Sequence, residues 1–502
     1  MENLSVFLGD ISAIIWGPYV LIPLLLGTGL YLTIRLGGLQ FFKLGASLRL
    51  GLIKRKDAGA EGDVSQFQAL TTALAATVGT GNIVGVATAI GIGGPGALFW
   101  MWVTGLLGMA SKYSEAFLGV RFRGTDAAGE KSGGPQYYLE RGIRGPFGKF
   151  LALFFAVAAT IACFGIGNMT QGNSIAANLD NSFNISPWVT GSVLTVLSLA
   201  VLVGGIKSIG RVTAGFVPVM IVFYVAASLY ILIANVAGIP EAFAQIFTDA
   251  FTGTSAVGGF AGSAIIIAVQ YGVARGIFSN ESGMGSAAIA AAAAQTTHPV
   301  RQGLVSMTQT FIDTIIVVTC TGLVIITTGV WNMIDPETGE QISPALMTGQ
   351  AFTYGLPGEW GHWIVTLGLV MFAFSTILGW CYYGERNIER LIGRRAVMPF
   401  RVLFSLVVFI GCTTELTVIW NFSDMMNGLM ALPNLIGLLI LSGLIVRETR
   451  WYLKHDPKLE ADKAQIEDFM NARPGWAEWK QGDVIGSSRS RLGGETEADS
   501  VR

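Results

Sequence analysis

The chain has 502 residues, of which 52% are hydrophobic and only 13% charged, and its formal net charge is -1. Soluble domains carry about 25% charged residues, so this composition describes a polytopic membrane protein. A near-neutral balance argues against a nucleic-acid binder, which needs a basic face.

Crossing about 30 Å of hydrocarbon takes roughly 20 apolar residues. Apolar runs of that order lie at 11–34, 66–92, 96–118, 149–173, 188–206, 212–236, 258–296, 303–330, 362–383, 399–418 and 424–446, which predicts eleven spans. The first run has no lysine or arginine ahead of it, unlike a cleaved signal peptide, and is read as a genuine span. Basic residues recur in alternate loops: Arg35 to Lys56, Arg121 to Arg144, Lys207 and Arg211, Arg301, Arg386 to Arg395, and Arg447 to Lys454. The intervening loops 174–187, 237–257 and 331–361 contain acids but no lysine or arginine. The positive-inside rule then puts the N-terminus outside and the C-terminus in the cytoplasm of a multi-pass cell-membrane protein.

The second span contains Thr77-Val78-Gly79-Thr80-Gly81-Asn82-Ile83-Val84-Gly85. Glycine in mid-helix costs about 1 kcal/mol against alanine, so three of them beside an amide predict a helix broken within the bilayer or a close backbone approach. The alternative is plain close packing of helices on small residues. At 93–96, Gly-Gly-Pro-Gly predicts a tight turn, with Trp100 and Trp102 near the membrane interface. The fourth span offers Gly167 and Gln171 on one helical face. The Gln171 amide can donate to a carboxylate or accept from an ammonium, and is read as a substrate contact, with an interhelical hydrogen bond as the alternative.

The seventh run is overlong and reads Gly272-Val273-Ala274-Arg275-Gly276-Ile277-Phe278-Ser279-Asn280-Glu281-Ser282-Gly283-Met284-Gly285 before the helix-favouring 286–294. Setting the first span aside, two sets of five remain, at 66–236 and 258–446. Five is odd, so the second set runs inverted, and spans two and seven become partners. Interrupted segments at corresponding places in two inverted halves are the best sequence pointer to a transporter's site. Gly276, Phe278, Ser279 and Asn280 are therefore expected to complete a binding site with Thr77, Gly79, Thr80, Gly81 and Asn82. Half-helix N–H groups suit a carboxylate, and released carbonyls suit a cation or an ammonium. Arg275 and Glu281, with Asp313 in span eight, are ionisable groups inside spans and so usually functional. They form an ion network, carry the coupling ion or proton, or sit in a water-filled vestibule. Glu115 and Glu415, near the ends of spans three and ten, read as interface groups or gates. Residues 447–502 turn polar and predict a cytoplasmic tail with one surface helix to about Met470 and disorder after Gly486.

Cys163, Cys320, Cys381 and Cys412 lie in or beside apolar runs and are read as packing residues. The three histidines are scattered, and neither a metal centre nor a bound prosthetic cofactor is expected. An enzyme would want a nucleophile and base or metal ligands in the spans; a channel would want pore-lining rings or a carbonyl filter.

The Gly-Thr-Gly-Asn core at 79–82, Gly93 to Val103 and Gly276 to Ser286 together resemble the alanine or glycine:cation symporter family of the amino acid–polyamine–cation superfamily. The resemblance covers about residues 5–455. It implies an all-α leucine-transporter fold, an extra N-terminal helix ahead of a 5+5 inverted repeat, and import of alanine or glycine with sodium, sometimes with protons. It also implies a carboxylate held near the backbone of Gly79, Thr80 and Gly81. Sodium would be held by the carbonyls of Ala75 and Val78 with the hydroxyls of Ser375 and Thr376. The alternative for those hydroxyls is bonding back to their own helix. Oxygen ligands without a fixed carboxylate suit a monovalent ion.

Overall fold

A computed structural model describes residues 9–473 except 10, 13, 18, 58, 253–260, 335–338, 359 and 415; for 261–264 and 416–419 it describes the backbone alone. The expectations for Glu415 and for the end of the tail lie outside those residues.

The chain is almost entirely helical. Six described helices are long and apolar enough to cross a membrane, the bent pair α2 (Gln66–Thr77) and α3 (Val86–Gly93) makes a seventh, and α1 (Leu21–Arg35) and α8 (Pro187–Leu202) are shorter apolar helices. Spans three and seven are present as α4 (Gly96–Arg121) and α11 (Ala261–Asn280) followed by α12 (Ser286–Ala292). The fourth span is α6 (Pro146–Phe164) and α7 (Thr170–Phe183), the sixth α9 (Gly205–Ala234), and the eighth α13 (Pro299–Thr310) and α14 (Thr319–Thr327). The last three are α16 (Gly361–Ile392), α17 (Val397–Thr413) and α18 (Leu416–His455). The short α5 (Pro135–Gly142) lies between spans three and four.

Several boundaries differ from the sequence reading. The first span is shorter than 11–34, because a turn at Trp16 and Gly17 precedes α1 where the sequence has the helix-breaking pair Gly17-Pro18. The loops at 237–257 and 331–361 each hold a helix, α10 (Ile239–Thr252) and α15 (Pro344–Gly355). Phe243, Phe247 and Phe251 of α10 meet Phe99, Trp100 and Trp102, so these tryptophans pack on a covering helix, while Gly94 (φ 72°) makes the expected turn ahead of them. The tail helix α19 (Lys463–Asn471) buries Ile466 and Met470.

Among the described residues, three wide π-helical turns interrupt the spans, at Gly81–Gly85, Gly165–Met169 and Phe311–Val318. Such turns concentrate at functional sites, and two of them, Gly81–Gly85 and Phe311–Val318, pack directly on each other. The broken helices are also joined at the face that carries the basic loops. Val64, just ahead of α2, pairs with Ala294, just after α12, through Asp63 N–H to Ala293 O (2.8 Å) and Gln295 N–H to Val64 O (2.7 Å).

Candidate functional site

The first break begins where α2 ends. Ser65 and Gln68 form a capping box that starts the helix, and the backbone leaves it at Val78 (ψ 89°); α2 and the run Gly81–Gly93 meet at 53°. Gly79 and Gly81 permit two close approaches. A Cβ at Gly79 would stand 2.5 Å from Thr376 Oγ1 and 3.1 Å from Gln171 Oε1, and one at Gly81 would stand 3.0 Å from Ser279 Cα. Close packing and an intended break therefore coexist here.

Side-chain amides replace the helix bonds that the break removes. Asn82 Oδ1 accepts from Gly79 N–H (2.9 Å), and Gln171 Oε1 accepts from Thr80 N–H (3.2 Å). Gln171 Nε2 donates to Ile166 O (2.8 Å), a five-residue reach fitting the π turn before it. A carboxylate arriving at Thr80 would take over the place of Gln171 Oε1. The Thr80 hydroxyl is fully buried and has no partner among the described residues. Thr77 turns its hydroxyl back to Ala73 O (3.0 Å).

On the other side of the bend, Ser375 and Thr376 donate to Ala75 O (3.3 and 3.0 Å) and also to Phe372 O on their own helix (2.8 and 3.0 Å). Both readings of these hydroxyls thus have a geometric counterpart. The cluster offers buried neutral oxygens, with Val78 at the helix end beside it.

The second break is narrower than 272–285. α11 continues through Asn280, and only 281–285 leave the helix. Gly272 and Gly276 are helical glycines: a Cβ there would strike Ala97 O (2.5 Å) and the Thr104 hydroxyl of α4. They draw two helices together rather than breaking one. Three left-handed residues make the actual break, Glu281 (φ 55°), Gly283 (φ 91°) and Gly285 (φ 82°). Only the second and third are glycines, which have no steric penalty there.

Asp313 links the first break to the end of α11, just ahead of the second. Fully buried, it accepts from Asn82 Nδ2 at Oδ1 (2.7 Å) and from the hydroxyls of Ser279 (2.9 Å) and Thr314 (2.8 Å) at Oδ2. Asn280 faces away from the first break, with Nδ2 toward Thr314 Oγ1 (3.2 Å) and Oδ1 accepting from Ser282 N–H (2.9 Å). Phe278 stacks on Trp420 with ring centroids 4.9 Å apart. Arg275 pairs with Asp424 (2.7 Å) and lies over the Trp420 ring. Glu281 accepts from Ser286 Oγ (2.5 Å) and Trp380 Nε1 (2.7 Å). Glu115, read as an interface group or gate, is instead fully buried against the second break, because its carboxylate accepts from Gly285 N–H (2.9 Å).

Sequence reasoning passed over Lys112, Asp424 and Asn434. Lys112 and Asp424 carried the same signal that singled out Asp313, an ionisable group inside an apolar run.

A sequence profile of the Sodium:alanine symporter family matches residues 1–466. The sodium/alanine symporter AgcS of Methanococcus maripaludis is 51% identical over 441 residues, 88% of this chain and 95% of that protein. An uncharacterized transporter of Haemophilus influenzae is 50% identical over 448 residues, 89% and 96% of the two chains. The solved structure of MhsT in complex with L-phenylalanine matches with a TM-score of 0.53 at 15% identity, covering 85% of this chain and 96% of that one. At that identity the match speaks for the fold alone, which is the leucine-transporter fold.

Proposed function

Because this chain belongs to the sodium:alanine symporter family, a family of transporters and not of enzymes, we propose that it imports a small neutral amino acid, alanine or glycine, coupled to sodium by alternating access. The observation that carries this reading is the division of the first break into two chemically different sides. Ala75 O, Val78 and the hydroxyls of Ser375 and Thr376 supply neutral oxygens for sodium on one side. On the other, the N–H groups of Thr80 and Gly81, the Thr80 hydroxyl and the Gln171 amide supply a carboxylate site. One bend thus serves ion and solute together, the condition for a reciprocal coupling free energy between them.

In this reading the inverted units 66–236 and 258–446 move against each other, with the sodium side shared between them, behind the extra helix region 1–65 and with 447–502 as a tail. The lysines and arginines of alternate loops orient the N-terminus outside and the C-terminus in the cytoplasm.

Asp313 supports a second reading, proton coupling, since it is a buried carboxylate bonded to Asn82 in the first break and to Ser279 near the end of α11. Uptake of labelled alanine and glycine into proteoliposomes, with sodium and pH gradients imposed separately, distinguishes the two. Saturable uptake driven by sodium alone supports the proposal; uptake driven by pH alone contradicts it and transfers the coupling role to Asp313.

A further inference from the structure

Beside the buried Glu281 carboxylate, two further and opposite charges of the protein's own meet the second break. Lys112 and Glu115 are three residues apart on α4, and both are fully buried. The Lys112 ammonium donates to Glu281 O (2.9 Å), at the carbonyl end of the 20-residue helix α11. Glu115 Oε1 accepts from Gly285 N–H (2.9 Å) and from Asn434 Nδ2 (2.8 Å), while Asn434 Nδ2 also donates to Gly283 O (2.7 Å). Tyr138 in turn donates to Asn434 Oδ1. The closest approach between the two charges, Nζ to Oε2, is 3.8 Å, longer than either bond to the break. Each charge is therefore directed first at the backbone, and the signs match it: a cation at a helix's carbonyl end and an anion at a buried N–H outside the helix. Gly108 lets α4 come this near, since a Cβ there would stand 2.7 Å from Ser282 Cβ.

We propose that Lys112 and Glu115 act as positioning residues, a built-in counterpart of a zwitterion that occupies the second break and leaves the first break as the one open to cargo. This rests on the reading of the first break as the binding site. The geometry of 281–285 reaches the first break through Ser279, Asp313 and Asn82, so loosening it disturbs both ion and solute.

The alternative is that the two residues matter only to each other, as a buried ion pair. Exchanging a mutual pair preserves it, and replacing it by apolar residues of similar size is often neutral or stabilising. The test uses the full-length protein in detergent, reading monodispersity, melting temperature and sodium-dependent binding of labelled alanine. Three variants are compared with the unsubstituted protein: Lys112→Arg, the exchanged pair Lys112→Glu with Glu115→Lys, and the apolar pair Lys112→Met with Glu115→Leu. The proposal expects Lys112→Arg to keep alanine affinity within about threefold. It expects the exchanged and apolar pairs to lose at least about tenfold, as for lost hydrogen bonds to charged groups, with the sodium half-saturation rising in parallel, or to fail to fold. Unchanged alanine and sodium affinity in the exchanged or the apolar pair overturns it. Absence of sodium-dependent alanine binding in the unsubstituted protein refutes the reading of the first break instead. The melting temperatures then decide the positioning role of Lys112 and Glu115: a lower value for both pairs than for Lys112→Arg supports it, and equal values overturn it.

Discussion

Asn82 is the residue on which the two sides of the site turn, because its oxygen holds Gly79 N–H and its nitrogen holds Asp313. Replacing it with alanine leaves a buried carboxylate and a backbone donor short of a partner, which typically costs about 1.5–3 kcal/mol when a charged group is involved. Asn82→Ala is expected to weaken alanine binding and sodium activation together, by about tenfold or more, in equilibrium binding titrations. Thr376→Ala should act differently. It removes one oxygen facing Ala75 and is expected to raise the sodium concentration for half-maximal uptake, while uptake at saturating sodium stays closer to that of the unsubstituted protein. Equal loss at all sodium concentrations would place Thr376 outside the ion site. Asn82 and Gln171 were legible before the structure, since amides stand out inside apolar runs, while Ser375 and Thr376 were named only through the family resemblance. Lys112 carried the signal of an ionisable group inside an apolar run, but its bond to Glu281 and that of Asn434 to Gly283 are ones that no local spacing announces.

The glycines of α11 show where local reasoning fails for a whole element. Gly272 and Gly276 look like breakers in the sequence, yet they remain helical because α4 presses against them; the chain breaks instead at Glu281 to Gly285, where partners on α4 and α18 hold the exposed backbone. Substituting Gly276 with leucine should push α11 from α4 and cost roughly 1–3 kcal/mol, as overpacking does, seen as a lower melting temperature. The same change at Gly145, which has a positive φ but nothing near its Cβ, tests backbone strain without overpacking. The π turns were equally illegible, since one inserted residue leaves no compositional trace. The hairpin between α4 and α5, Gly124–Thr125 paired with Lys131–Ser132, brings Asp126 (2.8 Å) and Glu130 (2.5 Å) onto Arg386. Burial alone would raise both carboxyls. The Glu130 N–H and Arg386 outweigh it for Asp126, and Arg386 does so for Glu130, leaving both below their ordinary 3.8 and 4.5. A depressed carboxyl stabilises the fold above its unfolded value and loses that contribution as pH falls through the folded one. The melting temperature should therefore fall on acidification below those ordinary values, and Asp126→Asn with Glu130→Gln should flatten that acid limb.

For the molecule as a whole, span length carried the architecture. Each of the eleven apolar runs corresponds to a described helix or helix pair, and the leucine-transporter fold follows from the comparison with MhsT. The covering helices α10 and α15 were missed because helices of only 14 and 12 residues in connecting loops lack a long apolar run. They bear on the site all the same: Thr348 of α15 donates to Ile83 O (3.1 Å), just beyond the first break. The central claim is that ion and solute share this break, so each must strengthen the other's binding by the same factor. Its most direct test is equilibrium binding to the purified protein, with alanine titrated at several sodium concentrations and sodium at several alanine concentrations. The account predicts that alanine affinity rises with sodium, that sodium affinity rises with alanine by an equal factor, and that both effects shrink together in Asn82→Ala. Alanine affinity that is the same with and without sodium would contradict it.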